Sequence, residues 1–100
     1  PGVMDCASAL ALRMLNNGQM SKDLVRYGFE FCLSRPPSRL EQQLLTDLFN
    51  DLRQLYEINP SAADQVVGGA ALGQTPVAQY AAWVGVARTL LNHEEFITRE

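Results

Sequence analysis

The sequence has few basic residues, and this shortage argues against nucleic acid as a partner. Its 100 residues include 8 Lys and Arg against 11 Asp and Glu, which gives a formal net charge of −3. Proteins bind nucleic acid through clustered Lys and Arg that neutralise phosphates. Here the seven Arg are scattered, and only Arg26, Arg35 and Arg39 could come near one another in the fold. We therefore predict no nucleic-acid partner.

Histidine and cysteine are also scarce, which leaves little material for a catalytic or metal site. His93 is the only histidine, and no nucleophile or second ligand accompanies it in the sequence. Cys6 and Cys32 form no C-x-x-C motif, so neither a zinc knuckle nor a haem attachment is indicated. We expect two buried thiols that act as small hydrophobic groups. A disulfide between the first two helices, which requires an oxidising compartment, is the alternative.

Long apolar runs are missing as well. No stretch approaches the roughly 18 residues that span a bilayer, and no charged segment followed by an apolar one marks a signal peptide. We expect a soluble chain with no membrane span. The composition, 47% hydrophobic and 19% charged, is typical of a globular domain. The opening Pro-Gly lacks an initiator Met, which favours a processed or excised piece of a longer protein.

What the sequence does have is helical periodicity. Apolar residues repeat at helical spacing almost everywhere, and no segment alternates as a half-buried strand does. The pattern predicts one all-α domain of four to six helices over residues 1–100. The first helix runs from about Met4 to Asn16 and stops at Gly18 in a left-handed conformation. The second begins at Ser21 as N-cap and ends at Pro36 and Pro37.

The third helix begins with the sequence S-R-L-E, in which Ser38 and Glu41 form a capping box. It is predicted to be the longest helix and to end near Asn59. Together with the apolar second helix it is expected to form the centre of the domain. It carries apolar residues at intervals of four, namely Leu40, Leu44, Leu48, Leu52 and Tyr56.

Two later helices each begin with a proline after a capping residue, in Asn59-Pro60 and Thr75-Pro76. The last long helix is predicted to bury Val77, Tyr80, Val84 and Ala87, with Trp83 at its edge, where it lies either in the core or at an interface. We predict that this helix ends at Asn92. Asn92 and Glu95 would then cap a final turn that docks Phe96 on the core.

Arg35 is the most informative charged residue. We place it in the last turn of the second helix, where a cation complements the helix dipole and can bond the free carbonyls. Because a guanidinium offers several donors in one plane, we predict that Arg35 binds Glu41 or the C-terminal turn around Glu95. A partner-binding role is the alternative. Asp47 and Asp51 share a helix face, and we expect that face to be solvated.

Three phrases in this order resemble a known bacterial family. They are A-L-x-x-L-N in the first helix, L-x-R-P-P-x-x-x-E from Leu33 to Glu41, and W-x-x-V-A-x-x-L-L-N-x-x-E-F-I-T-R-E from Trp83 to Glu100. Together they resemble the PSD-one domain, which has no established activity and ends large secreted proteins of planctomycetes. The resemblance implies that this chain is the C-terminal part of a multidomain extracytoplasmic protein whose N-terminal part carries a cytochrome c-like haem module.

The function that we expect is therefore structural. The chain is predicted to be a non-catalytic helical module that packs on other domains of its parent protein or on a protein partner, and to hold no cofactor and no metal itself. One alternative is a fragment of a secreted hydrolase or redox enzyme whose active site lies elsewhere. A second is a helix-turn-helix module, for which an acidic chain and a Leu-rich helix are poorly suited. The candidate structural or interaction residues are Arg35, Glu41, Trp83, Asn92, Glu95 and Phe96.

Overall fold

The computed structural model of the chain describes residues 3–18, 20–67 and 75–99, and for 3–6, 67 and 93–99 it describes the backbone alone. Within these ranges every regular element is an α-helix, which confirms the predicted all-α domain. The described residues form five helices, namely α1 (Val3–Asn16), α2 (Ser21–Leu33), α3 (Arg39–Ile58), α4 (Pro60–Val67) and α5 (Val77–Arg99). In this part of the chain no helix is both long and apolar enough to cross a bilayer.

The start of α3 is set by the predicted capping box. The Glu41 backbone N–H donates to the Ser38 Oγ at 3.1 Å, and the Ser38 N–H donates to the Glu41 carboxylate at 2.8 Å. Pro60 is the first residue of α4, also as predicted. Asn59 precedes it as predicted, and its backbone carbonyl accepts from the N–H groups of Ala62 and Ala63 in α4. Its side-chain amide instead donates to the Leu55 carbonyl at 3.4 Å, so the same residue also closes α3.

The turn between α1 and α2 differs from the prediction at two residues. Ser21 is the first residue of α2, and the N-cap is Met20, which makes no side-chain cap. Gly18 does not adopt a left-handed φ. Its lack of a side chain matters for another reason, since a Cβ there would lie 2.9 Å from the Cβ of Asp23. The glycine therefore permits a close approach between the turn and α2, while Asn17 closes α1 by donating to the Arg13 carbonyl.

The end of α2 is made by a left-handed residue that the sequence did not indicate. Ser34 has φ 60° and ψ 25°, and its N–H donates to the Glu30 carbonyl at 2.9 Å. The helix thus ends at Leu33, before the two prolines. Arg35 consequently lies in the loop after α2, and its predicted place in the last helical turn is wrong.

The centre of the domain is α5, and the prediction that α2 and α3 form the centre is wrong. At 23 residues α5 is also longer than α3, which has 20. It packs against each of the other four helices. Because it is covered on several sides, it buries consecutive residues as well as helically spaced ones. These are Tyr80, Ala81, Ala82, Trp83, Val84, Val86, Ala87 and Leu90.

The leucine stripe of α3 is only partly covered. Phe49 is the one residue of α3 that is fully buried, and its ring stacks on Trp83 of α5 with centroids 4.0 Å apart. By contrast, Leu40 is 68% exposed and Leu44 is 58% exposed. The expectation that α3 lies at the centre therefore fails because its apolar residues extend around the helix beyond the side that α5 covers.

The C-terminal prediction also changes. Asn92 does not end the last helix, because α5 continues through it to Arg99. The side chains of Glu95, Phe96 and His93 lie outside the described ones, so the docking of Phe96 stays a prediction. The expected burial of both cysteine thiols is not met at Cys32, which is half-buried, and the side chain of Cys6 lies outside the described ones.

Candidate docking groove between α2, α3 and α5

The loop between α2 and α3 is fixed by a contact of Arg35 with Glu41, one of the two partners predicted for this arginine. The Arg35 Nη1 and Nη2 atoms each donate to one carboxylate oxygen of Glu41, both at 3.0 Å. The Arg35 guanidinium also lies 4.9 Å from the centroid of the Phe29 ring. This two-point geometry ties the segment after α2 to the first turn of α3.

The contact also determines the charge state of Glu41. The hydrogen bond from Arg35 and, next, that from the Ser38 backbone lower the pKa of Glu41 to about 2. The same hydrogen bond raises the pKa of Arg35. Both groups are therefore charged at neutral pH, and both oxygens of Glu41 already accept hydrogen bonds. Such a carboxylate holds the structure together and is unsuited to proton transfer near pH 7.

Beside this pair, α2, α3 and α5 enclose an apolar groove of about 230 Å³. Phe29 contributes from α2, and Leu90 contributes from α5. The groove opens next to the exposed side of α3, where Leu44 is only partly covered. Its apolar walls are formed by Phe29, Leu44, Leu45, Leu48 and Leu90, and its polar lining residues are Glu41 and Thr89.

The polar groups of the groove already have partners. Thr89 Oγ1 donates to the Gly85 carbonyl at 3.0 Å, and Glu41 is bound to Arg35. The groove is also smaller than the roughly 300–1,000 Å³ of typical small-molecule sites, which combine apolar walls with converging polar groups. Its size and lining suit one or two apolar side chains of another polypeptide.

The groove continues into an exposed apolar side of α3. Leu40 lies one turn before Leu44, while Leu55 and Ile58 follow on the same side farther along the helix. All four are exposed, Ile58 to 77%. We call this side the outer face of α3, defined by Leu40, Leu44, Asp47, Asp51, Leu55 and Ile58. Exposed apolar residues that continue into a groove are typical of an interaction surface.

The outer face is acidic as well as apolar. Asp47 and Asp51 are both exposed, as predicted. Asp47 accepts a hydrogen bond from the Gln43 amide at 2.9 Å. Among the described residues neither aspartate forms an ion pair with a Lys or Arg. In the part of the chain that the structure describes, their two negative charges thus lie beside the exposed leucines without a basic partner.

Of the three arginines Arg26, Arg35 and Arg39, two stay near each other in the fold and Arg35 does not join them. Arg26 and Arg39 line a shallow depression on the α2 side of α3, together with Lys22 and Asp23. Arg26 binds Glu30 at 3.1 Å, and Arg35 instead binds Glu41. In the described part of the chain, no group of three or more His, Cys, Asp and Glu is arranged to hold a metal ion.

Among the candidate residues whose side chains the structure describes, Trp83 and Asn92 do not line the groove. Trp83 is 3% exposed and packs on Phe49, so its side chain belongs to the core. Asn92 is exposed and lies within α5. The sequence did not indicate the groove itself. The only sequence feature that could have indicated it is the width of the apolar stripe on α3. This stripe is wider than the surface that one neighbouring helix can cover.

Comparison with known proteins identifies no relative of this chain. No family model, no curated protein and no solved structure matches the chain. The resemblance to the PSD-one domain therefore stays an expectation, and the groove has to be interpreted from its own geometry.

Proposed function

We propose that the chain is a non-catalytic docking module, which holds a segment of another polypeptide in the groove and along the outer face of α3. That segment belongs to another domain of its parent protein or to a separate protein. The observation that carries the proposal is the exposure of Leu40 and Leu44 directly beside an apolar groove. Fully burying one leucine contributes about 1.5–3 kcal/mol, so covering this surface provides a substantial driving force.

The composition of the groove supports docking over catalysis. Catalysis requires a group that can accept a proton or attack a substrate. The carboxylate of Glu41 is held by Arg35 and Ser38, and the hydroxyl of Thr89 is held by a carbonyl. The rest of the groove lining is apolar. Such a surface binds another apolar surface of complementary shape.

We further propose that the module acts outside the cytoplasm, at the C-terminal end of a larger protein. This part of the proposal depends only on the resemblance of the three sequence phrases to the PSD-one domain. Detection of the native protein in periplasmic or secreted fractions is expected, and confinement to the cytoplasm would contradict it.

A selection experiment tests the docking proposal. A phage-displayed library of helical peptides, randomised at apolar and flanking positions, is selected on the wild-type chain. Binders are then compared on Leu44→Gln and on Leu12→Gln, a control that alters a partly exposed leucine of α1. Gln matches Leu closely in helix propensity, so both variants are expected to stay folded, which circular dichroism verifies.

We expect binders that lose affinity on Leu44→Gln and keep it on Leu12→Gln. Amide chemical shifts should change around Leu44, Leu48 and Thr89 when such a peptide is added. A selection that yields no binder dependent on Leu44 would argue against a docking function for this surface.

A further inference from the structure

The charges of the outer face of α3 indicate what kind of segment it binds. Asp47 and Asp51 lie between the exposed leucines at its two ends, because residues three or four apart are neighbours on a helix. No Lys or Arg of α3 lies on this side. Arg53 points to a different side and binds Glu57 at 2.9 Å, and Arg39 lines the depression beside α2. The surface therefore offers apolar contacts with a negatively charged centre.

The architecture favours a helix as the occupant. Every regular element that the structure describes is a helix, so this part of the chain presents no strand edge to which an extended peptide could add. Recognition then depends on side chains. An apolar helix face beside a groove is the geometry in which amphipathic helices bind, with anchors one or two turns apart. Leu40 and Leu44 are spaced by one turn, and Leu55 and Ile58 extend the same surface.

A second copy of the chain fits this surface poorly. An antiparallel pairing that places Leu40 against Ile58 of the second copy also places Asp47 against Asp51 of that copy. A parallel pairing in register places each aspartate against its own equivalent. In both arrangements like charges meet at the centre of the contact, which disfavours association.

We infer that the occupant is an amphipathic α-helix of a different sequence that carries Lys or Arg at the centre of its apolar stripe, opposite Asp47 and Asp51. Its apolar residues enter the groove at Leu44 and cover Leu40 and Ile58. This inference rests on the proposed docking function, and it adds the charge and the secondary structure of the partner.

The peptides selected on the wild-type chain test this inference. Basic residues should be enriched over acidic ones at the flanking positions in the middle of the peptide. Substituting Asp51→Asn removes one charge and no described hydrogen bond. For a selected basic peptide measured by fluorescence anisotropy at low salt, this variant should raise Kd about two- to fivefold.

The matched control is Asp23→Asn, which removes the same charge from the depression beside α2 and should leave Kd unchanged. Added salt should weaken binding to the wild type more than binding to Asp51→Asn, because salt screens exposed charges. Sedimentation of the chain alone over a concentration series should show a monomer.

The outcomes separate the two proposals. Peptides that depend on Leu44 but show neither basic enrichment nor sensitivity to Asp51→Asn would overturn the inference and leave the docking function standing. A dimer of the chain that Leu44→Gln dissociates would also overturn it, since the occupant would then be a second copy. The absence of any peptide dependent on Leu44 would overturn both proposals together.

Discussion

Replacing Leu10 and Leu40 by alanine distinguishes a buried leucine from an exposed one. Leu10 of α1 is 3% exposed, whereas Leu40 of α3 is 68% exposed. Both side chains lie in helices, and the two substitutions remove the same atoms. The intrinsic change in helix propensity is therefore similar in the two variants. The difference in stability between them measures burial in the native fold.

The structure sets the expected magnitudes. At Leu10 the substitution removes the transfer free energy of the buried atoms and leaves a cavity, which together cost about 3 kcal/mol. At Leu40 only about a third of the side chain is covered, so a proportional share of the roughly 1.5–3 kcal/mol for a fully buried leucine is at stake, or about 0.5–1 kcal/mol. The Leu10 variant should thus be less stable than the Leu40 variant by about 2 kcal/mol.

Urea denaturation followed by far-ultraviolet circular dichroism measures both free energies of unfolding. The slope of the free energy against urea should match among the variants, which confirms that the same surface is exposed on unfolding. Equal losses of stability at Leu10 and Leu40 would contradict the exposure of Leu40. In that case Leu40 would lie in the core, as the sequence pattern suggested, and the outer face of α3 would not be available for docking.

Three further predictions follow from local contacts. Ser38→Ala should lower the free energy of unfolding by about 1 kcal/mol, as measured by thermal or urea denaturation, because it removes a helix cap. The control Ser21→Ala removes no cap and should leave that free energy nearly unchanged. Equal effects of the two substitutions would contradict the capping box. Because Arg35 lowers the pKa of Glu41 to about 2, ionised Glu41 stabilises the fold above its ordinary pKa of about 4.3, and this stability is lost as pH falls through about 2. The difference in melting temperature between wild type and Glu41→Gln should therefore be present at neutral pH and vanish towards pH 2; a constant difference would argue against the pairing. The fluorescence of Trp83 should be blue-shifted and poorly quenched by acrylamide in the folded state, and ready quenching would place the indole on the surface.

Features that depend on a few neighbouring residues could be predicted from the sequence. The all-α character follows from apolar periodicity, and the start of α3 follows from Ser38 and Glu41, which lie three positions apart. The contact of Arg35 with Glu41 was predicted as one of two alternatives, the other being a contact with the C-terminal turn around Glu95. Such interactions form within one turn or one loop, so the rest of the fold has little influence on them.

Helix ends were predicted less well where several residues could serve the same purpose. Asn92 was expected to end α5, yet the helix continues to Arg99, because Asn is only mildly unfavourable within a helix. The end of α2 depends on a left-handed Ser34, a conformation that serine seldom adopts and that its sequence neighbours did not indicate.

Which helix lies at the centre, and which leucines stay exposed, depends on how the helices pack together and could not be predicted from periodicity. Periodicity shows which residues share a side of a helix, but α2, α3 and α5 all have broad apolar sides. In α5 the small side chains of Ala81, Ala82 and Ala87 let neighbouring helices approach it on several sides. The groove and the outer face of α3 are what remains once α5 has taken the central position, because the exposure of a leucine depends on the helices that pack against it.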